Sequence, residues 1–498
     1  MFRSLALIVV CATGVFLASA AHSREPSLPS TDMDGIVQRD GEAFVKAGNT
    51  DGLSIAIVRD GQTTYFNFGT ISRNKKQLPN QDTVYEIGSI SKTFTSLLLA
   101  HALVEKKASA SDDMRRYLPG AYPNLQFQGT PVTLKDLVAT TSALPDNIPD
   151  IMAMAKANGL KRAPFVIADA LQRYNTEALL ADLRKASLSY KPGTMPMHSN
   201  VAAQLVGLIL EKTYSRSYED LLSVYVEKPL GMKSGVAKER LPHMATGYMA
   251  DGTATPLIPA VELAAGGLRY SSSDMARYVT LQLQDSDPAV ALTHQPLWGS
   301  VDEGAVGFDW NIAKTIDGKI RLNHSGGTFG FSSFMDLYPD LHYGIVLMAN
   351  RSDSVTQYQL QVLSEQIVAD LFGKPPAVLA LEHAFTERGY QHADATVRSV
   401  LQSHPELHLS EDYINTWGYQ LLKQGRPKDA VAILEYNTIH HPGSANAFDS
   451  LGEACRAAGD VPQSIANYRR ALELNPSNTH AQQQLREMGD VPSGRVTQ

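Results

Sequence analysis

A chain of 498 residues exceeds what one hydrophobic core usually spans, since single cores stop growing near ~250–300 residues, so two folded units are the starting expectation. With 43% hydrophobic and 19% charged residues the composition is that of a soluble globular protein, and disorder is excluded as the general reading. A net charge of -7 leaves no basic excess to neutralise phosphates, which sets nucleic acid aside as a partner and leaves small molecules or polymers.

The first residues read as a secretory signal over 1–20: Arg3, an apolar run from Leu5 to Leu17, then Ala18-Ser19-Ala20 as a cleavage site. A periplasmic or secreted mature protein is therefore expected, with an uncleaved anchor as the alternative. The apolar run falls short of the ~20 residues a spanning helix needs, and no later segment reaches that length, so no integral membrane segment is expected after cleavage. Of the two cysteines, Cys11 lies in the signal and only Cys455 remains, so no intrachain disulfide is predicted and Cys455 reads as core.

Further along, Leu53–Val58 and Thr63–Phe68 are β-prone runs joined by Asp60-Gly61, a hairpin signature. Lys92–Lys106 is apolar on most sides, as expected of a helix buried within a domain, with Ser89 at its N-terminal end. Helices are predicted over Leu134–Thr140 and Val201–Thr213, and the middle of the chain reads as mainly helical. Strand character returns at Phe331–Tyr338 and Tyr343–Asn350, around Pro339-Asp340. Strands at both ends enclosing helices predict an α+β class: an antiparallel sheet flanked by helices, an all-helical layer beside it, and a cleft between them.

The pattern changes at Lys374-Pro375-Pro376, which opens a helical connector over 374–410. Residues 411–486 then repeat at a spacing of 34, pairing Gly418 with Gly452, Gly425 with Gly459, Ala432 with Ala466 and Pro442 with Pro476. Each copy reads helix, turn, helix, Pro stop, which resembles the tetratricopeptide repeat. The preceding stretch through Val397–Leu401 is expected to cap or dock this α-helical repeat domain, and 487–498 is a tail.

Ser89-Ile90-Ser91-Lys92 has S-x-x-K spacing. On a helix it puts the two side chains on one face, roughly 5–6 Å apart at Cβ. A lysine in an otherwise apolar helix is costly to bury charged, so desolvation lowers its pKa toward a value useful for taking a proton from serine. Alone the pattern is weak, because it usually marks a helix cap and a solvated lysine. Ser91 is the poorer nucleophile candidate, with Phe94 three residues on. Two further signatures follow in order: Tyr190-Lys191-Pro192-Gly193 leading to His198-Ser199-Asn200, and His324-Ser325-Gly326-Gly327-Thr328-Phe329-Gly330, expected to enter a strand.

With these three motifs, residues 30–373 resemble the family of class C β-lactamases, serine DD-peptidases and related esterases. Val132-Thr133-Leu134, Thr141-Ser142-Ala143-Leu144-Pro145, Glu227-Lys228-Pro229-Leu230-Gly231 and Gly266-Gly267-Leu268 echo its scaffold. The resemblance implies a β-lactamase/transpeptidase-like fold and an acyl-enzyme on Ser89, with Lys92 helping to deprotonate it. Asn200 would orient the substrate amide, and His324 occupies the lysine position of the K-T-G strand. Gly326 would leave room for substrate, and the N–H groups of Ser89 and Gly327 would form an oxyanion hole. Neither cofactor nor metal is implied.

One departure stands out: the family has Tyr-x-Asn where this chain has His198-Ser199-Asn200. Histidine titrates near ~6.5 and tyrosine near ~10, so His198 can be a neutral acceptor at pH 7 without help from cations. The change leaves several outcomes open: a different leaving group protonated, esters favoured over amides, or a weakened site. Three functions follow. The chain is an acyl-transfer enzyme for β-lactams or D-amino-acid cell-wall peptides, an esterase or D-amino-acid amidase on the same scaffold, or an adaptor whose repeats bind a protein partner beside an inert site.

Overall fold

In the computed structural model, which describes residues 32–284, 286–353 and 355–490, β-prone runs from both ends of the first 350 residues meet in one sheet. The expected signal, residues 1–20, and residues 491–498 of the expected tail lie outside the described residues. The sheet has eight strands: β1 Gly52–Arg59, β2 Gln62–Gly69, β3 Trp298–Ser300, β4 Gly304–Gly307, β5 Trp310–Lys314, β6 Ile320–Gly327, β7 Ser332–Tyr338 and β8 Tyr343–Ala349. Their order is β2-β1-β8-β7-β6-β5-β4-β3. The β1–β2 hairpin turns through Asp60 (φ 50°) and Gly61 (φ 76°), the paired left-handed conformation whose twist suits a two-residue loop. The register Leu53↔Ala349 through Arg59↔Tyr343 joins the N-terminal hairpin to β8.

The short strands β3–β5 depart from the mainly helical reading of the middle. Gly299, Gly304 and Gly307 interrupt any alternation in β3 and β4, and β5 spans only five residues, so a strand signal has little to build on.

The helices that carry the site are α1 Ser91–Val104, α2 Leu134–Val138, α3 Asn200–Tyr214, α4 Ser272–Gln282 and α5 Thr356–Phe372. Helix α1 is buried without interruption from Ser91 to Ala100, which explains why its sequence lacks a polar face. Phe94 stacks between Tyr278 and Tyr270, with ring centroids 3.7 and 5.2 Å away. Helix α3 packs along α1, and α4 lies against β1 and β8.

Side chains alternate across β6, and this alternation decides which residues reach the site. On one face Arg321 donates from Nε and Nη2 to Asp336 of β7 (2.8 Å each) and from Nη1 to Glu365 of α5 (3.0 Å). Ser364 and Tyr338 also donate to Asp336, so the buried carboxylate is fully engaged. Leu322, His324 and Gly326 consequently take the opposite face. The third motif ends β6 rather than entering a strand. Its chain turns at Thr328–Phe331, where Thr328 N donates to Phe331 O (2.9 Å) and Thr328 Oγ1 accepts from Phe331 N (3.2 Å), before β7 begins.

The described residues divide into two compact units: those up to Ala313 with Ile320–Leu371, and Lys314–Lys319 with the residues from Phe372 onward. The second unit holds α6 Pro376–Arg388, α7 Ala393–Ser403, α8 Glu411–Lys423, α9 Pro427–His440, α10 Ala445–Ala457, α11 Val461–Leu474 and α12 Thr479–Glu487. Both ends of α8 and α9 recur in α10 and α11 at an offset of 34 residues. Gly418 of α8 lets Leu434 of α9 close on it, since a Cβ there would lie 2.6 Å from Leu434 Cγ; Gly452 faces Tyr468 in the same way. Cys455 is buried in this unit's core.

Candidate active site

Ser89 sits in the single tight turn Gly88–Ile90 that leads into α1, and Lys92 follows in the first turn of that helix. Lys92 Nζ lies 2.9 Å from Ser89 Oγ, 2.7 Å from Asn200 Oδ1 and 2.8 Å from Ala265 O. Its side chain is enclosed while Ser89 remains partly open, so the nucleophile is reachable and the amine behind it is not. Burial pulls the Lys92 pKa down to about 8, against the upward pull of Asp309, Glu262 and Asp146.

The hydrogen-bond inventory then decides where the lone pair of a neutral Lys92 points. Ala265 O can only accept, and so can Asn200 Oδ1, whose amide nitrogen donates to Asn147 Oδ1 (2.8 Å). Ser89 Oγ alone among the three can donate. Once Lys92 loses its proton, its two N–H bonds stay with the carbonyls and its lone pair faces Ser89 O–H.

Ala265 belongs to the wide helical turn Leu263–Gly267, an i→i+5 turn of the kind often found at functional sites. Asn200 is the first residue of α3. Ser199 caps that helix by accepting from Ala202 N (3.1 Å) and donates to Pro145 O (2.7 Å). Each polar atom of Asn200 thus makes one hydrogen bond within the protein, which leaves its amide a second N–H and a second lone pair for a substrate.

His198 Nδ1 lies 2.6 Å from Asp146 Oδ1, and about a third of its side chain is open. Burial, together with repulsion from the Lys92 ammonium, holds its pKa below the usual imidazole value, although Asp146 opposes this. The ring is neutral at pH 7. On β6, His324 Nδ1 lies 2.7 Å from Ser325 O, which can only accept, so the proton sits on Nδ1 and Nε2 is left as an acceptor. Burial, then Lys92, drive the His324 pKa down to about 3. Where an ammonium would supply a cation, this chain therefore supplies a neutral ring.

The turn before Ser89 touches the end of β6 backbone to backbone. Gly88 has φ 53°, and a Cβ there would stand 2.4 Å from Gly327 N. A Cβ at Gly326 would stand 2.0 Å from Ile87 O, and Ser333 Oγ donates to that same oxygen (2.7 Å). Only glycine at both positions lets the strand approach the nucleophile turn so closely. The contact brings the peptide groups of Ser89 and Gly327 into one neighbourhood.

The structure thus brings Ser89, Lys92, His198, Asn200, His324, Gly326 and Gly327 together in one neighbourhood. The sequence profile of the family described as Beta-lactamase matches residues 37–364, more than half of the chain.

The chain belongs to the β-lactamase family.

Among its curated relatives, a β-lactamase of Pseudomonas fluorescens is 25% identical over 364 residues, covering 65% of this chain and 95% of that protein. Protein flp of Staphylococcus aureus (strain MW2) is 28% identical over 351 residues, covering 68% of this chain and 66% of that protein. A solved β-lactamase/D-alanine carboxypeptidase from Pseudomonas syringae superposes with a TM-score of 0.57 at 22% identity, over 69% of this chain and all of that one. A class C β-lactamase matches with the same score and identity and is covered over 96% of its length. The two superpositions establish the β-lactamase/transpeptidase-like fold.

Sequence reading missed several groups around this family site: Asp146, Asn147, Ala265, Glu262 and Asp309. Burial pushes Glu262 up to about 7 and does the same for Asp309, which accepts from Ser96 Oγ (2.5 Å). Asp309 follows Phe308 in a turn where both residues have positive φ, and Asp146 lies in a loop with Pro145 and Pro149. Neither segment has a periodicity that would mark it. The one available signal was the Asp146-Asn147 pair directly after the Leu144-Pro145 echo.

Proposed function

We propose that this protein is an exported serine acyl-hydrolase that forms an acyl-enzyme on Ser89. The carrying observation is the 2.9 Å contact between Lys92 Nζ and Ser89 Oγ, with both other Lys92 partners confined to accepting. In the acylation step Ser89 Oγ attacks the substrate carbonyl carbon while its proton passes to the neutral Lys92 amine. The carbonyl oxygen gains charge beside the Ser89 and Gly327 N–H groups, and as the carbon–leaving-group bond breaks the leaving group takes the proton that Lys92 had accepted, which leaves the amine neutral again. Water then hydrolyses the acyl-enzyme.

The substrates that suit this reading are β-lactams or D-amino-acid cell-wall peptides. The signal-like residues 1–20 support export to the compartment where such peptides occur. A second reading, an esterase or D-amino-acid amidase, is favoured by the neutral His324: it offers no cation to pair with a substrate carboxylate, and so suits uncharged acyl esters. The repeats of the second unit, read as tetratricopeptide-like, leave room for a protein partner.

The test is intact-protein mass spectrometry of the mature chain with benzylpenicillin, p-nitrophenyl acetate and a D-alanine amide, beside Ser89→Ala. A wild-type-only adduct that persists with the penicillin indicates a penicillin-binding peptidase, and one accompanied by drug hydrolysis indicates a β-lactamase. Turnover of the ester or amide alone selects the second reading. No adduct and no turnover with any probe rejects the acyl-transfer reading.

A further inference from the structure

Residues 198–201, at the start of α3, and the loop Pro145–Asn147 are fastened to each other at every residue. Ser199 Oγ donates to Pro145 O (2.7 Å), and the Asn200 and Val201 amides donate to Asp146 O (2.8 and 3.3 Å). Asn200 Nδ2 donates to Asn147 Oδ1 (2.8 Å), and His198 Nδ1 meets Asp146 Oδ1 (2.6 Å). Four of these five bonds fix backbone or Asn200, and through Asn200 they fix Lys92. The fifth holds only the imidazole, and it is the shortest.

Its chemistry is one-directional. An ionised carboxylate can only accept, so the shared proton resides on His198 Nδ1 and the lone pair of the neutral ring is confined to Nε2. Against the upward push of burial, the hydrogen bond from His198, the Lys92 ammonium and the Asn200 N–H hold the Asp146 carboxyl below its usual value, so it is ionised. The charged and titratable groups facing the ring are Asp146 from the loop, Lys92 from α1 and His324 from β6. His324 adds no positive charge at neutral pH, since its own pKa lies near 3. The imidazole therefore has one attractive partner for a positive charge, Asp146, and one repulsive one, Lys92.

We propose that Asp146 is a positioning residue that holds His198 as the Nδ1–H tautomer and stabilises its imidazolium, so that His198 Nε2 serves as general base for deacylation. The proposal rests on the acyl-transfer reading of Ser89. A water O–H proton passes to His198 Nε2 as the water oxygen bonds to the acyl carbon. The carbon–Oγ bond then breaks, and Ser89 Oγ takes the proton back from Nε2. The acid product leaves, Ser89 is again a hydroxyl and the ring is again neutral. A tyrosine at this position would have no use for a carboxylate beside it; a histidine does, because it becomes a cation in the step. Asp146 thus answers the departure from Tyr-x-Asn.

The experiment uses the full mature chain and two readouts on Asp146→Asn and Asp146→Glu. The first is ¹⁵N NMR of labelled histidines, with the His198 signals assigned among the 14 histidines by a His198→Gln variant. Wild type is expected to show the Nδ1–H tautomer. Asp146→Asn is expected to lose it or to titrate at lower pH, because an amide cannot hold the imidazolium. The second is the deacylation rate after a burst with p-nitrophenyl acetate. Asp146→Asn is expected to slow it about 10²–10⁴-fold, the usual worth of a general base, with the burst retained, kcat and KM falling together and kcat/KM little changed. Asp146→Glu is expected to recover much of the loss.

Because Asp146 fastens the loop through its backbone oxygen, Asp146→Asn keeps those bonds. A purely structural role would instead lower kcat and burst amplitude together with the folded fraction. An Asp146→Asn protein matching wild type in tautomer and deacylation overturns the proposal while the burst upholds acylation of Ser89. A wild type inert toward every probe, with a tautomer that Asp146→Asn abolishes, rejects the acyl-transfer reading and upholds the pair.

Discussion

At Lys92 the same enclosure that makes the amine a base also makes it a burden on the fold, and both effects are measurable against pH. With a pKa of about 8, roughly a tenth of the amine is neutral at pH 7. The rate of Ser89 acylation is therefore expected to rise close to tenfold per unit up to pH 7 and to level off above about 8 in stopped-flow measurements. A flat profile between pH 6 and 9 would contradict the assignment of Lys92 as base. For stability, the folded pKa lies below the unfolded lysine value of 10.5, so between about 8 and 10.5 the unfolded chain holds a proton that the folded chain has released. Stability gains with rising pH across that window, and the full cost is present below it. Relative to Lys92→Met, wild type is expected to gain about 3 kcal/mol between pH 7.5 and 10.5 in urea unfolding. The hydrogen-bond partners lost in the variant shift the offset between the two curves and leave this pH dependence in place.

Element by element, β6 has the most exacting position, because its two faces do unrelated work. Its front places His324 and Gly326 against the nucleophile turn; its rear is locked by Arg321 to Asp336 and Glu365. Removing the guanidinium leaves a buried carboxylate without its counter-charge. Arg321→Leu is expected to destabilise the first unit by about 3–5 kcal/mol in chemical denaturation. A cost under 1 kcal/mol would mean that Asp336 is satisfied by Ser364 and Tyr338 alone. The N-terminal hairpin, helix α1 and the β7–β8 hairpin were legible from their patterns, since alternation and uniform apolarity each report burial directly. Strands β3–β5 were not, because strands of only three to five residues, with glycine in β3 and β4, hold their place by pairing with a neighbour and not by their own pattern. The third motif was read as opening a strand and closes one, because Gly326-Gly327 has no side chains to show which end of the ladder it occupies.

Across the whole molecule, Ser89, Lys92, Asp146, His198, Asn200, Ala265, His324 and Gly327 all belong to the first unit, and none to the helical second unit. A chain ending at Leu371 is therefore expected to acylate Ser89 at the wild-type rate per folded molecule, with folding checked by circular dichroism. Loss of acylation in a folded truncation would assign the second unit a part in the site. The sequence alone determined the Ser89-x-x-Lys92 face, the order of the three motifs, the sheet's outer hairpins and the 34-residue period of the helical unit. Each of these is written in the spacing of residues within one element, where helix and strand geometry convert spacing into direction. The tertiary structure alone decided that Lys92 shares its protons with Asn200 and Ala265, that a neutral His324 ring stands near Lys92 and His198, and that Asp146 pairs with His198. Those contacts join loops and helix ends 52 to 173 residues apart. No local periodicity encodes such distances, and only the packing of α1, α3 and β6 around a common core brings the groups within hydrogen-bond reach.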